Sequence, residues 1–147
     1  MPASNIKKPK SRVKITCHDF SGKVVPLLER AARAALAADG YTGTGEINFI
    51  LISDADIRAM NRRFRKVNRI TDVISFQYEK DPLRGDIYIG RTRSRRQAKK
   101  QGHDWERELS YLVIHGTLHL RDYTDYTTRA RRAMFRLQDT VFQCLFS

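Results

Sequence analysis

Asp104-Trp105-Glu106-Arg107-Glu108-Leu109-Ser110-Tyr111-Leu112-Val113-Ile114-His115-Gly116-Thr117-Leu118-His119-Leu120 is the stretch on which the fold turns. Asp104 is a good N-cap, because its carboxylate can accept from the free N–H groups of a first helical turn. Behind it Trp105, Leu109, Leu112 and Val113 open a broad apolar surface that continues to Leu120, which predicts the most buried helix of the chain. His115 and His119 lie four residues apart inside it, so both imidazoles leave the same face about one turn apart. The plain reading is two core histidines, each satisfied by its own hydrogen bond. The sharper one is a chelating pair for one metal ion. Imidazoles set among Tyr111, Leu112, Val113, Ile114, Leu118 and Leu120 lose hydration, and bonds from ring nitrogens to a cation offset that loss. A third ligand must come from the chain that turns back after the helix, where Asp122 and Asp125 are the carboxylates in reach. Two histidines and a carboxylate leave a position open for water, as catalytic rather than structural sites do. His103, ahead of the helix, is expected at the surface.

Working outward, Val13, Ile15 and Cys17 alternate with Lys14 and Thr16 as a half-buried strand would. Val24, Leu27, Leu28, Ala31, Ala35 and Ala38 then recur at helical spacing over 24–38, and Gly40 stands where a glycine C-cap belongs. Residues 46–52 end as a solid apolar run and suit a strand covered on both faces. Ser53 caps the next helix, carried by Ile57, Met60, Asn61 and Phe64, with Phe64 expected in the core. Residues 72–76 and 86–89 read as short strands joined through Asp81-Pro82 and Gly85, a pairing that makes a hairpin. Arg91 to Lys100 is expected to be a helix ending before Gly102. A last helix starts near Thr128, with Ala130, Met134, Leu137, Val141 and Leu145 on its apolar stripe and Phe135 also expected inside. The fold class is therefore α+β, one compact domain over residues 11–147 with a small mixed sheet of about four strands. Residues 1–10, basic and without periodicity, are expected to be disordered.

The 147 residues are 41% apolar, enough for one real core, which excludes fibrous and wholly disordered classes. A net charge of +12, from 28 Lys and Arg against 16 Asp and Glu, points to a polyanionic partner. Twenty-two of those basic residues fall in 1–20, 58–69, 91–100 and 121–136, stretches that hold only Asp19, Asp122 and Asp125 as acids. Such unbalanced runs favour phosphate contact over a merely solvated face, and make a nucleic acid the expected partner. No apolar run reaches the roughly 20 residues of a membrane span, and the start carries no signal-like apolar stretch. Cys17 and Cys144 show no metal or disulfide spacing, so the expected location is a reducing cytoplasm, with no membrane.

The run from His115 to Asp125 resembles the YbeY family of bacterial metal-dependent endoribonucleases, whose signature reads H-G-x-L-H-L-x-G-Y-D-H. Asn61-Arg62-Arg63-Phe64-Arg65 followed by Thr71-Asp72-Val73-Ile74-Ser75-Phe76 is similar to that family's N-x-x-[YF]-R-x5-T-D-V-L-S-F. Gly85-Asp86-Ile87-Tyr88-Ile89 is similar to its G-D-I-x-I. The blocks share the family's order and spacing. The resemblance implies a zincin-like α+β fold with the metal-binding helix in its core. It implies one divalent metal per chain, zinc first, held by His115, His119 and Asp125. It also implies Arg65 facing the same cleft, and a role in maturing the 3′ end of small-subunit ribosomal RNA and in ribosome quality control. Ribosomal proteins or assembly GTPases are the protein partners to expect. Several positions depart from the pattern. Asp125 replaces a histidine, and its charge makes a bound ion less electrophilic. Asp122 replaces a turn glycine, which Asp tolerates better than most residues. Thr124 replaces an aspartate, Gln138 a common glutamate, and Lys66, Val67, Asn68 and Ile70 replace most of the usual linker.

The expected activity is single-strand-specific, metal-dependent RNA cleavage. The ion activates water or polarises a phosphoryl oxygen, with Arg65 neutralising charge on the phosphate and His115 and His119 as its catalytic companions. Arg62, Arg63, Arg65, Lys66, Arg69, Arg91, Arg93, Arg95 and Arg96 are expected to hold the RNA backbone, while Thr71, Asp72 and Ser75 support the site. The rival is a non-catalytic ribosome-assembly factor that binds RNA and keeps a structural metal. A metallopeptidase is disfavoured, because Gly116 stands where H-E-x-x-H enzymes carry their glutamate base.

Overall fold

The computed structural model describes residues 11–65 and 72–147, with Arg65 described through its backbone only. The elements run β1 (Arg12–His18), α1 (Val25–Asp39), β2 (Thr44–Ile52), α2 (Asp54–Met60), a π-helical turn (Asn61–Arg65), β3 (Val73–Lys80), β4 (Leu83–Gly90), α3 (Arg91–Gln101), α4 (Trp105–Leu120) and α5 (Thr128–Leu145). The four strands form one mixed sheet in the order β1-β2-β4-β3. β1 and β4 flank β2 in parallel, and β3 closes the far edge as the expected antiparallel hairpin with β4. The fold is thus the α+β domain with a mixed four-stranded sheet that the sequence predicts.

The register separates the two faces of the sheet. Ile15 pairs with Ile47, Phe49 with Ile87, Leu51 with Ile89, and Ser75 with Ile87, so these side chains share one face by the period of two. Helices α1, α4 and α5 pack with one another over that side, and it holds the core, including Ile47, Phe49, Ile87 and Leu118, all fully buried. Each such side chain contributes about 1.5–3 kcal/mol of hydrophobic stabilisation. The opposite face carries Asn48, Asp86, Phe76 and Tyr88, all half-buried, beside a fully buried Ile74. This corrects the reading of β2 as covered on both faces. Ile47, Phe49 and Leu51 are buried, whereas Ile50 and Ile52 on the second face are half-exposed. Phe64 is also corrected: it lies 55% exposed, its ring edge-on to Phe76 at 5.5 Å, because the π-helical turn delivers it to the open face. Phe135, likewise expected inside, is half-buried.

Turn chemistry sets the helix ends. Gly40 caps α1 at φ +85°, where its N–H reaches the Ala37 and Leu36 carbonyls. Gly102 does the same for α3 at φ +73°. The side chains of Ser53, Asp104 and Thr127 accept from Asp56, Arg107 and Ala130 backbone N–H groups. Cys17 and Cys144 are free thiols. No described helix is long and apolar enough to cross a membrane.

Candidate active site

Helix α4 sits unusually close to the sheet because two glycines let it. A Cβ on Gly116 would lie 2.7 Å from Ile87 Cγ2 and 3.2 Å from Ser75 Oγ; one on Gly85 would lie 2.7 Å from Leu120 Cδ2. With both side chains missing, the C-terminal half of α4 rests directly on β3 and β4, and Ser75 Oγ donates to the Gly116 carbonyl at 3.2 Å. That contact places the histidine pair beside the exposed edge strand. It also explains why no glutamate fits at 116: the position faces the sheet, not the solvent.

The two imidazoles converge. His115 Nδ1 bonds Gln138 Oε1 at 2.9 Å, and His119 Nδ1 bonds the Tyr123 carbonyl at 2.9 Å. Both partners are acceptors, so each Nδ1 carries the proton and each Nε2 presents a lone pair. Those two Nε2 atoms stand 3.0 Å apart. At that distance the two nitrogens can share a proton or a cation between them. A donor set of this kind suits a divalent cation, and the carbonyl-type partners on both Nδ1 atoms are the outer hydrogen bonds that metal-bound histidines usually make. Phe135, its ring centre 6.2 Å from that of His115, helps to wall the pair.

Asp125 is half-buried, and its described contact is through its backbone carbonyl, which accepts from Arg131 Nη2 at 3.4 Å. Among the described residues no three His, Cys, Asp or Glu side chains are gathered as a ligand set. The structure therefore brings His115 and His119 together and leaves Asp125 outside the pair. Asp122, at φ +69°, adopts the left-handed turn in which the family pattern has glycine. Its Oδ1 accepts from Gln77 Nε2 at 3.0 Å and its Oδ2 pairs with Lys80 at 3.6 Å, which ties the turn to β3. Behind it Arg121 Nε holds Asp39 Oδ2 at 2.6 Å while its guanidinium stacks 4.3 Å from the Tyr41 ring centre, anchoring the end of α4 to the end of α1.

Compared with known proteins, the chain matches the family model of endoribonuclease YbeY over residues 5–145. The endoribonuclease YbeY of Endomicrobium trichonymphae is 47% identical over 128 residues, covering 87% of this chain and 90% of that one. The protein of the same name from Pelotomaculum thermopropionicum is 38% identical over 124 residues, covering 78% and 82%. The chain belongs to the YbeY endoribonuclease family. The solution structure of TM1509 from Thermotoga maritima, 27% identical, superimposes with a TM-score of 0.62 over 91% of this chain and 89% of that one.

Against this YbeY frame the remaining expected residues fall into three groups. Ser75 is at the site, against Gly116 and beside His119. Arg62, Arg63, Arg91, Arg95 and Arg96 are exposed, although Arg95 also lies over the Trp105 ring at 4.1 Å and Arg63 over the Phe64 ring at 5.2 Å. Arg93 is spent within the fold: its Nε donates to Asp72 Oδ1 at 3.1 Å, so the Asp72 carboxylate positions α3. Lys66, Arg69 and Thr71 lie outside the described residues, as do the Arg65 side chain and residues 1–10.

Sequence reasoning missed three features. Gln138, fully buried, is the residue that orients His115; the available signal was a polar side chain on the α5 stripe that also buries Met134 and Val141. The Tyr123 carbonyl that orients His119 is backbone and leaves no such signal. His103, expected at the surface, is largely covered and pairs through Nε2 with the buried Glu108 Oε1 at 2.7 Å. Burial pushes the Glu108 carboxyl above its ordinary value, with His103 opposing that shift.

Proposed function

We propose that this YbeY-family chain is a metal-dependent endoribonuclease that cuts single-stranded RNA, acting in the cytoplasm on the 3′ end of small-subunit ribosomal RNA and in ribosome quality control. One observation carries the reading: two imidazoles with both Nδ1 atoms tied to acceptors turn their Nε2 atoms toward each other beside an open edge strand. His115 and His119 would hold one divalent ion, zinc first, with Asp125 the third ligand that the family resemblance assigns. When bound, that ion supplies Lewis-acid chemistry to water or to a phosphoryl oxygen.

The chain's own groups do the rest. Gln138 and the Tyr123 carbonyl fix both rings, so the site is organised before RNA arrives. Arg65 is assigned the charge that develops on the phosphate. Exposed arginines on the π-helical turn and α3 grip the RNA backbone without reading its sequence, a role the reading also gives to Lys66 and Arg69. Asp72 supports the site by holding Arg93 of α3, and Thr71 is assigned a supporting role with it. Ribosomal proteins and assembly GTPases are the neighbours that such a substrate brings.

Two measurements test this. Elemental analysis of purified protein should find about one metal per chain, lost in Asp125→Ala and kept in Asp122→Ala. His119→Ala should abolish cleavage of single-stranded RNA while leaving thermal unfolding and RNA binding nearly unchanged. Wild-type protein that takes up no metal even when zinc is supplied would overturn the hydrolytic reading. Loss of folding together with cleavage would make the metal structural and the chain a ribosome-assembly factor.

A further inference from the structure

A cavity of about 420 Å³ opens beside His119, between the free edge of β3 and the loop that follows α4. Its size is in the range of pockets that take one small-molecule unit, roughly 300–1,000 Å³. Tyr126 stands at this cavity with 79% of its surface exposed, an aromatic ring the core does not use. Rings presented in this way beside an RNA path are what unpaired bases stack on.

The polar wall has a definite hydrogen-bond pattern. Gln77 Nε2 donates to the Leu120 carbonyl at 2.7 Å and to Asp122 Oδ1 at 3.0 Å. An amide nitrogen has two hydrogens, so both are used inward, and Gln77 turns only its Oε1 acceptor outward. Asp122 adds carboxylate lone pairs beyond those that Gln77 and Lys80 occupy, and Lys80 adds one ammonium donor. The wall therefore offers acceptors at two residues and a donor at a third. Among the RNA bases, guanine matches it best, since its edge presents N1–H and N2–H₂ as donors and O6 as acceptor. Uracil and cytosine, each with two acceptors and one donor group, match it less well.

We propose that this cavity is a nucleobase subsite in which Tyr126 stacks one base of the RNA strand while Asp122, Gln77 and Lys80 select guanine. The proposal rests on the endoribonuclease reading of the neighbouring histidines, and it makes the base next to the cut a position where this chain reads sequence.

The test measures binding in EDTA at fixed ionic strength by fluorescence anisotropy, so that neither metal nor hydrolysis enters. The probes are a nine-residue oligouridylate and the same strand with one central guanosine. The guanosine should tighten binding by about tenfold, the size of one well-made contact to a base edge. Tyr126→Ala should remove that gain, Tyr126→Phe should keep it, and Asp122→Asn, which tolerates the same turn, should lose the preference for guanosine while still binding both strands. Equal binding of the two probes by wild type, or a preference that survives Tyr126→Ala, overturns the subsite. Cleavage of RNA by a chain with no guanosine preference would sink this inference alone. A guanosine preference in a chain that cleaves nothing with any divalent ion would sustain the subsite and sink the endoribonuclease reading.

Discussion

Replacing Gln138 by Leu separates the stability of the fold from the readiness of the site. Gln138 is fully buried, and only half of its amide is satisfied: Oε1 meets His115 Nδ1 at 2.9 Å, while Nε2 has no hydrogen-bond partner among the described residues. A buried polar group without a partner costs about 1–3 kcal/mol. Leucine of similar size removes the orphaned Nε2 and so recovers that cost. It also strands His115 Nδ1–H, which incurs a cost of the same size. The two changes oppose, and the net effect on unfolding free energy of metal-free protein should be within about 1 kcal/mol. The proposed metal site feels only the loss, because the ring is no longer held in the tautomer and orientation that present Nε2. Removing such an outer hydrogen bond typically weakens metal binding roughly 10- to 100-fold, or about 1.4–2.7 kcal/mol. Gln138→Glu keeps an acceptor at the same place and should hold metal at least as well as wild type. Chelator competition for zinc, run beside urea unfolding in EDTA, reads both quantities. Zinc affinity unchanged in Gln138→Leu, or lost equally in Gln138→Glu, would refute the claim that this amide orients His115. A stability loss above about 3 kcal/mol would refute the cancellation.

Three further outcomes follow from the geometry. Gly116→Ala gains about 1 kcal/mol of helix propensity but forces a methyl to 2.7 Å from Ile87 Cγ2, an overpacking cost of about 1–3 kcal/mol, so chemical denaturation should show net destabilisation, and a gain would refute the close approach. Because burial raises the Glu108 carboxyl above its ordinary 4.5, the unfolded chain gives up this proton before the folded one does, and stability falls as pH rises through that interval. Glu108→Gln, which keeps an acceptor for His103, should therefore gain on wild type with rising pH and then level off in urea unfolding, whereas a shrinking gap would reverse the assignment. Arg91→Ala and Arg96→Ala, both at exposed positions, should each lower the slope of log affinity against log salt for single-stranded RNA by about 0.7, and unchanged slopes would take α3 off the RNA path.

What the sequence disclosed and what it hid divide along a physical line. Val13 and Ile15 in β1, the alanine stripe of α1 and the Met134–Val141 stripe of α5 are each buried against one neighbouring layer, so their periodicity records the burial directly. Ile50 and Phe64 broke that rule because the sheet's second face is only partly covered, and an apolar side chain there has the same identity as one in the core. His103 failed for the converse reason, since its partner Glu108 lies on the next helix and a charge paired across a helix junction has no period. The histidine pair was legible because its two members are four residues apart on one helix. Its orienting groups were not, because Gln138 is 23 residues away and the Tyr123 carbonyl belongs to every residue alike. The same contrast explains Gly116. In sequence it stands where an H-E-x-x-H protease carries its glutamate; in the structure it is the contact that lowers α4 onto Ile87 and brings both imidazoles to the edge of β3. A side chain there would have to displace the helix that carries His115 and His119, so the residue that disfavours peptidase chemistry is also the one that lets this site form.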